Sequence, residues 1–130
     1  NARKASSLFK RALSSTEIRP EKACIFDYAA VNLQAGNLNK AAGLYRRILR
    51  EDPYFIYALH NLATIMVREK RNSAGLGFFS KVLKIAPAYR PTLENLAVYY
   101  MREGRYKKAA AMVKEVLNRA SCHDEKRYYG

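Results

Sequence analysis

Shifted by 34 residues, the chain lays small residues on small residues: Ala29, Ala63 and Ala97 form one column, and Ala41, Gly75 and Ala109 another. Leu49, Leu83 and Leu117 form a third column, and Pro53 and Pro87 a fourth. A period of this length belongs to units that cannot bury an apolar face singly and must stack on their neighbours. The expected fold class is therefore all-α: an α-α superhelix, or solenoid, of antiparallel helical hairpins with about seven helices.

Apolar residues at spacings of three and four run from Glu21 to Gln34, where Gly36-Asn37 interrupts them, and the same period resumes from Leu38 to Arg50. The next pair of helices is expected at Ile56 to Glu69 and Asn72 to Lys84, the third at Pro91 to Glu103 and Tyr106 to Arg119. Gly36 and Gly104 supply the left-handed backbone that ends a helix, and Lys70 occupies the same place in the middle hairpin. Pro53 and Pro87 stand just after each second helix, where the missing N–H and the restricted preceding residue stop it.

The units are thus residues 22–55, 56–89 and 90–121, followed by a tail or the start of a further helix at 122–130. Upstream, Ala5, Phe9, Ala12 and Leu13 match Ala41, Tyr45, Ile48 and Leu49 at a displacement of 36 instead of 34. Residues 1–20 therefore read as the second helix of a preceding unit and its linker, with two extra residues between Ser14 and Glu21. Two readings of the ends follow. Either the chain is a piece of a longer array, whose half hairpin at Arg3 to Leu13 would promote self-association, or residues 1–13 are a cap and the last ten residues a frayed tail.

The two columns of small residues let the helices of a hairpin approach closely, because helix separation is set by the side chains at the contact. Around them the pattern places Ile25, Tyr28, Tyr45 and Ile48, then Leu59, Leu62, Met66, Phe79 and Val82, then Leu93, Leu96, Tyr100, Val113 and Val116 in the core. Tyr45, Phe79 and Tyr100 are assigned to packing rather than to a stacking platform. Tyr54, Phe55, Tyr57 and Tyr89 fall at linkers and helix starts, and their place stays open between core and groove. Asn32 stands where Met66 and Tyr100 stand, and requires a buried partner or local solvent.

Against 24 Lys and Arg the chain sets 11 Asp and Glu in 130 residues, a formal charge of +13. A small soluble domain carries a magnitude of about 2 to 8. No apolar run of about 18 residues exists, and the polar start at Asn1-Ala2-Arg3-Lys4 lacks the apolar core of a secretory signal. Cys24 and Cys122 are 98 positions apart, too far along a stacked array to bridge, and read as reduced thiols. That points towards an intracellular, cytoplasmic setting without naming a compartment. The catalytic inventory is thin: His60 and His123, no Gly-rich phosphate loop and no clustered carboxylates. Cys122-His123-Asp124 has the residue types of a metal or thiol site but not the spacing. No enzyme, metal or cofactor is expected.

The segments GNLNKAAGLYRRILREDP at 36–53 and GRYKKAAAMVKEVL at 104–117, with NLA at 61–63 and again at 95–97, resemble the tetratricopeptide repeat. The resemblance covers about residues 22–121 as three units, and residues 3–20 are similar to the second helix of another. It implies a right-handed superhelix whose first helices line a concave groove that receives an extended peptide or a partner's helix, and hence a non-catalytic protein-interaction scaffold.

Carried onto this sequence, the implied groove consists of Phe26, Asp27, Ala30 and Gln34 in the first unit and Tyr57, His60, Asn61, Thr64 and Arg68 in the second. The third supplies Glu94, Asn95, Val98 and Arg102. Asn61 and Asn95 are the leading candidates, since an amide both donates to and accepts from a peptide backbone. His60 reads either as a pH-sensitive groove residue or as a solvated bystander. A subset of the family grips chaperone tails with a clamp of two lysines, an arginine and two asparagines. Asn61 matches one clamp position, but Phe26, Ala30, Pro91 and Asn95 occupy the others, which argues against that ligand.

The positive charge gathers instead on the second helices, which face the convex side: Lys10 and Arg11, Arg46, Arg47 and Arg50, Lys81 and Lys84, then Lys107, Lys108 and Lys114. These form either a solvated face or a surface for an acidic partner or polyanion, whether nucleic acid or anionic membrane. A regulatory role beside an enzyme domain in a larger protein is a further alternative.

Overall fold

In the computed structural model, residues 22–129 are described, with side chains described for 22–119. Every regular element among them is a helix: α1 (Lys22–Gln34), α2 (Leu38–Glu51), α3 (Ile56–Arg68), α4 (Asn72–Ile85), α5 (Arg90–Arg102) and α6 (Tyr106–Tyr129). The half hairpin expected at Arg3 to Leu13, with Lys10 and Arg11, lies outside the described residues, as does any self-association through it. Helices pair as α1 with α2, α3 with α4 and α5 with α6, and the hairpins stack in sequence order.

Each first helix ends in the same motif. Gly36, Lys70 and Gly104 adopt φ of 84°, 65° and 74°. The N–H of each following residue reaches back five positions, Asn37 to Asn32 O, Arg71 to Met66 O and Arg105 to Tyr100 O, at 2.8 to 2.9 Å. The N–H of Gly36, Lys70 and Gly104 itself reaches back three. This double closure satisfies carbonyls that would otherwise be orphaned and turns the chain into the second helix. The second helices stop as their prolines require. Asp52 and Ala86, which precede Pro53 and Pro87, have left the helical region at φ −133°, ψ 83° and φ −134°, ψ 85°. Pro91 sits in the first turn of α5, where no N–H partner is lost.

The columns of small residues form the seam within each hairpin. Ala29, Ala41 and Ala63 have no exposed surface, and Ala97 and Ala109 are 4% exposed. Gly75 is the tightest point, because a Cβ there would lie 2.6 Å from Val67 Cγ2 and 3.1 Å from the Ala63 carbonyl oxygen. One buried cluster gathers Ile25, Tyr45, Ile48, Leu62, Ile65 and Met66; a second joins Ala63, Phe79 and Leu96, with Tyr100 and Met112 packed against it. Asn32, 1% exposed, resolves its polarity locally: Nδ2 donates to Tyr28 O at 2.9 Å and Oδ1 accepts from Asn37 Nδ2 at 3.2 Å.

Two expectations are corrected. Val113, assigned to the core, is 44% exposed. The counterparts of Val113, Tyr45 and Phe79, are covered by the first helix of the following hairpin, and among the described residues no helix packs over α6 in that way. Helix α6 also continues without a break past the end expected at about Arg119 to Tyr129, since Tyr106 to Tyr129 holds neither glycine nor proline to stop it.

The glycines of α2 and α4 separate cleanly by environment. Gly75→Ala should destabilise the fold by about 1–3 kcal/mol through overpacking against backbone and Val67. Gly43 and Gly77 are helical, and a Cβ on either meets no atom within 4 Å, so Gly43→Ala and Gly77→Ala should each stabilise by about 0.5–1 kcal/mol. Urea unfolding of the three variants measures the opposite signs.

Candidate functional site

The first helices carry the groove residues on one face, and the structure gives those residues unequal surroundings. Asp27, Gln34, Arg68, Glu94, Val98 and Arg102 are exposed; Phe26, Ala30, Asn61, Thr64 and Asn95 are half-buried. Glu94 is engaged by Arg90, one turn earlier, at 2.7 Å. Tyr57 is 48% exposed, whereas His60 is only 9% exposed.

His60 is therefore no solvated bystander. It packs beside Phe79 and Tyr89, with ring centroids 5.5 and 5.6 Å away. Nδ1 lies 2.7 Å from Thr92 Oγ1 and Nε2 lies 3.4 Å from Asn95 Nδ2. A neutral imidazole with its proton on Nδ1 satisfies both neighbours, donating to Thr92 and accepting from Asn95. Asn95 Nδ2 also donates to Thr64 Oγ1 at 3.3 Å, and Thr64 Oγ1 donates to His60 O at 3.1 Å. This network ties α3 to α5, that is, one hairpin to the next.

Asn61 makes the equivalent tie in the preceding unit, donating from Nδ2 to the Tyr45 hydroxyl of α2 at 3.1 Å. Burial pushes the Tyr45 phenol up, and the Asn61 donor offsets some of that rise. The two amides expected to serve a ligand in both directions are thus partly engaged by the fold itself. Asn95 keeps its carbonyl oxygen as an acceptor, while Asn61 keeps its carbonyl oxygen and one N–H.

The linker aromatics whose place the sequence left open form an edge-to-face chain. Phe26 meets Phe55 at 5.8 Å, Phe55 meets Tyr57 at 5.3 Å, and Tyr57 meets Tyr89 at 5.8 Å. Lys22 Nζ stands 4.5 Å from the Phe55 ring centroid, and Tyr54 remains outside the chain at 70% exposure.

Between α3 and α5 lies a cavity of about 210 Å³, lined by Thr64, Val67, Arg68, Phe79, Asn95, Val98, Tyr99 and Arg102. Five of these are groove residues expected from the sequence. Phe79, a core residue by its pattern, also fills the core at 2% exposure. Val67 and Tyr99 carry no assignment from the sequence pattern, to core or to groove.

On the opposite side two clefts follow the period. One, about 550 Å³, is lined by Gly43, Arg46, Leu49, Arg50, Leu62 and Phe78. The other, about 310 Å³, includes Ser80, Leu83, Lys84, Leu96 and Met112, which are five of those positions advanced by 34. Arg46, Arg50, Lys81, Lys84, Lys107, Lys108 and Lys114 are exposed and Arg47 is half-buried.

Among the described residues, no group of three His, Cys, Asp or Glu side chains could hold a metal ion. The side chains of Cys122, His123 and Asp124 lie outside the described set, and Cys24 is a free, half-buried thiol. No described helix is long and apolar enough to cross a membrane.

Burial holds the His60 imidazole below the ordinary histidine range. The unfolded chain then binds more protons than the folded one near and below about pH 6.5, so this contribution to stability is complete above that value and is lost as pH falls towards the lower folded pKa. Denaturant unfolding at about pH 7.5 and 5.5 should show wild type losing stability on acidification, and His60→Gln losing measurably less over the same window.

No family model matches the chain, and no curated protein matches it. Solved structures do. A crystal structure of MamA is similar at 14% identity and TM-score 0.79, over 98% of this chain and 72% of that one. MamA 41-end from Desulfovibrio magneticus RS-1 is similar at 16% identity and TM-score 0.82, over 95% of this chain and 68% of that one. A tetratricopeptide repeat protein from Parabacteroides merdae ATCC 43184 is similar at 19% identity and TM-score 0.78, over 90% of this chain and 46% of that one. At such identities the likeness is one of fold, and the fold is the tetratricopeptide-like helical repeat.

Proposed function

We propose that this chain is a non-catalytic protein-interaction scaffold that receives an extended peptide or a partner's helix in the groove of its first helices. The cavity between α3 and α5 carries the reading. It combines an apolar floor with convergent polar groups, the composition of a recognition site, and five of its eight lining residues are those the tetratricopeptide resemblance implies for the groove. Asn95 in its lining retains a carbonyl oxygen as an acceptor.

Val98 is 48% exposed at this cavity, so Val98→Trp fills the site without entering the core. Peptides selected on the wild-type protein from a random displayed library should bind Val98→Trp about tenfold more weakly or worse. Unchanged affinity in a variant with wild-type helicity and unfolding midpoint would remove the groove from the reading.

The repeating basic clefts favour a second reading, a polyanion surface on the second helices. The three ion pairs among the described residues, Lys22–Asp52, Arg90–Glu94 and Arg119–Glu115, involve none of Arg46, Arg47, Arg50, Lys81, Lys84, Lys107, Lys108 and Lys114. Nonspecific nucleic acid and acidic vesicles should then bind at low salt, with an affinity that falls steeply as salt is added. Absence of binding to both at low salt would end this reading.

A further inference from the structure

We infer that the cavity between α3 and α5 selects an acidic segment: a peptide that inserts one leucine- or phenylalanine-sized side chain and places carboxylates beside it on Arg68 and Arg102. This inference rests on the groove reading and adds the chemistry of the ligand.

The size of the site sets the first requirement. A cavity of about 150 Å³ with apolar walls admits a benzene ring, and this one measures about 210 Å³. Its apolar walls, Val67, Phe79, Val98 and Tyr99, therefore have room for one large apolar side chain. The polar groups set the second. Thr64 is consumed by its bonds to His60 O and Asn95, and Asn95 has given its N–H groups to Thr64 and His60. What Asn95 still offers is a carbonyl oxygen, which accepts a backbone N–H from an extended chain.

Charge sets the third. Arg68 and Arg102 occupy the last turns of α3 and α5 and are one 34-residue period apart, so they project from equivalent places at one end of the cavity. Both are exposed. Neither is in an ion pair among the described residues, and the carboxylates that follow them, Glu69 and Glu103, do not engage them. Two unpaired guanidinium groups beside an apolar pocket complement carboxylates bracketing an apolar side chain, and Arg binds a carboxylate through two parallel N–H bonds. A nucleic acid strand satisfies the arginines but leaves the pocket unfilled.

The probe is a fluorescein-labelled peptide with a single leucine flanked by glutamates, followed by anisotropy. Its controls replace every glutamate by glutamine or the leucine by alanine. Each control should bind wild type about tenfold more weakly. Arg68→Gln and Arg102→Gln should each weaken the glutamate peptide about tenfold while leaving the glutamine peptide unchanged. The double variant Arg68→Glu/Arg102→Glu should prefer a lysine–leucine peptide. All four substitutions are on exposed helix ends, and circular dichroism verifies the fold.

Equal binding of glutamate and glutamine peptides would overturn the inference. So would an equal loss on replacing Arg46 and Arg50 of the opposite face by glutamine, which is the signature of nonspecific polyanion attraction. If Val98→Trp blocks library-selected peptides while the Arg68 and Arg102 variants bind the glutamate peptide as wild type does, the groove reading stands and the acidic specificity falls. If Val98→Trp leaves every peptide bound, both fall.

Discussion

The cavity between α3 and α5 depends on how closely α4 can approach α3. At Gly75 the two helices come so near that a single added carbon would press on the Ala63 carbonyl and on Val67. Ala63 has no exposed surface, so neither helix can relieve the contact by turning a larger side chain outward. Close packing of this kind behaves as a fixed spacing rather than a soft cushion. It brings Phe79 of α4 to the back of α3, where it is both core and cavity wall. It also sets the depth at which Val67 faces α5. The cavity is what remains between two first helices once each has been drawn onto its own second helix.

A chain of neutral hydrogen bonds then links one hairpin to the next. Asn61 joins α3 to Tyr45 of α2, and Asn95 joins α5 to Thr64 and His60 of α3. These amides occupy the same register position in successive units, so one position serves two ends: it fixes the angle between neighbours and presents a carbonyl to the groove. The first unit has Asp27 at that place, exposed to solvent.

Much of this was legible in the sequence, for reasons that differ by feature. Helix ends fall within about one residue of expectation for α1 to α5 because the stop signals are local: a left-handed residue at 36, 70 or 104, and a proline that straightens the residue before it. Lys70 has no intrinsic preference for φ of 65°; only the period reveals it, through Gly36 and Gly104. His60 was not legible. Its register equivalents are Phe26, half-buried, and Glu94, exposed, so the column carries no consistent environment. Its burial comes from Tyr89 in the linker and Thr92 in α5, contacts that exist only after the hairpins stack. Val113 shows the converse: its pattern is that of a core residue, but a solenoid position is buried only by its neighbour.

The distribution of charge gives the two faces different physical roles in the proposed binding. The basic residues of the second helices are exposed and spread along the array, so they act mainly through a long-range field that is screened over about 8 Å at physiological salt. Such a field accelerates the approach of any acidic partner without choosing among them. Arg68 and Arg102 act at contact range, where the direction of a guanidinium and the filling of an apolar pocket must be met together. A partner drawn by the +13 charge is retained only if it also carries the right side chain. Salt should therefore affect the rate of association more than the rate of dissociation, because the bonds that hold the complex are shielded from ions once the cavity is filled.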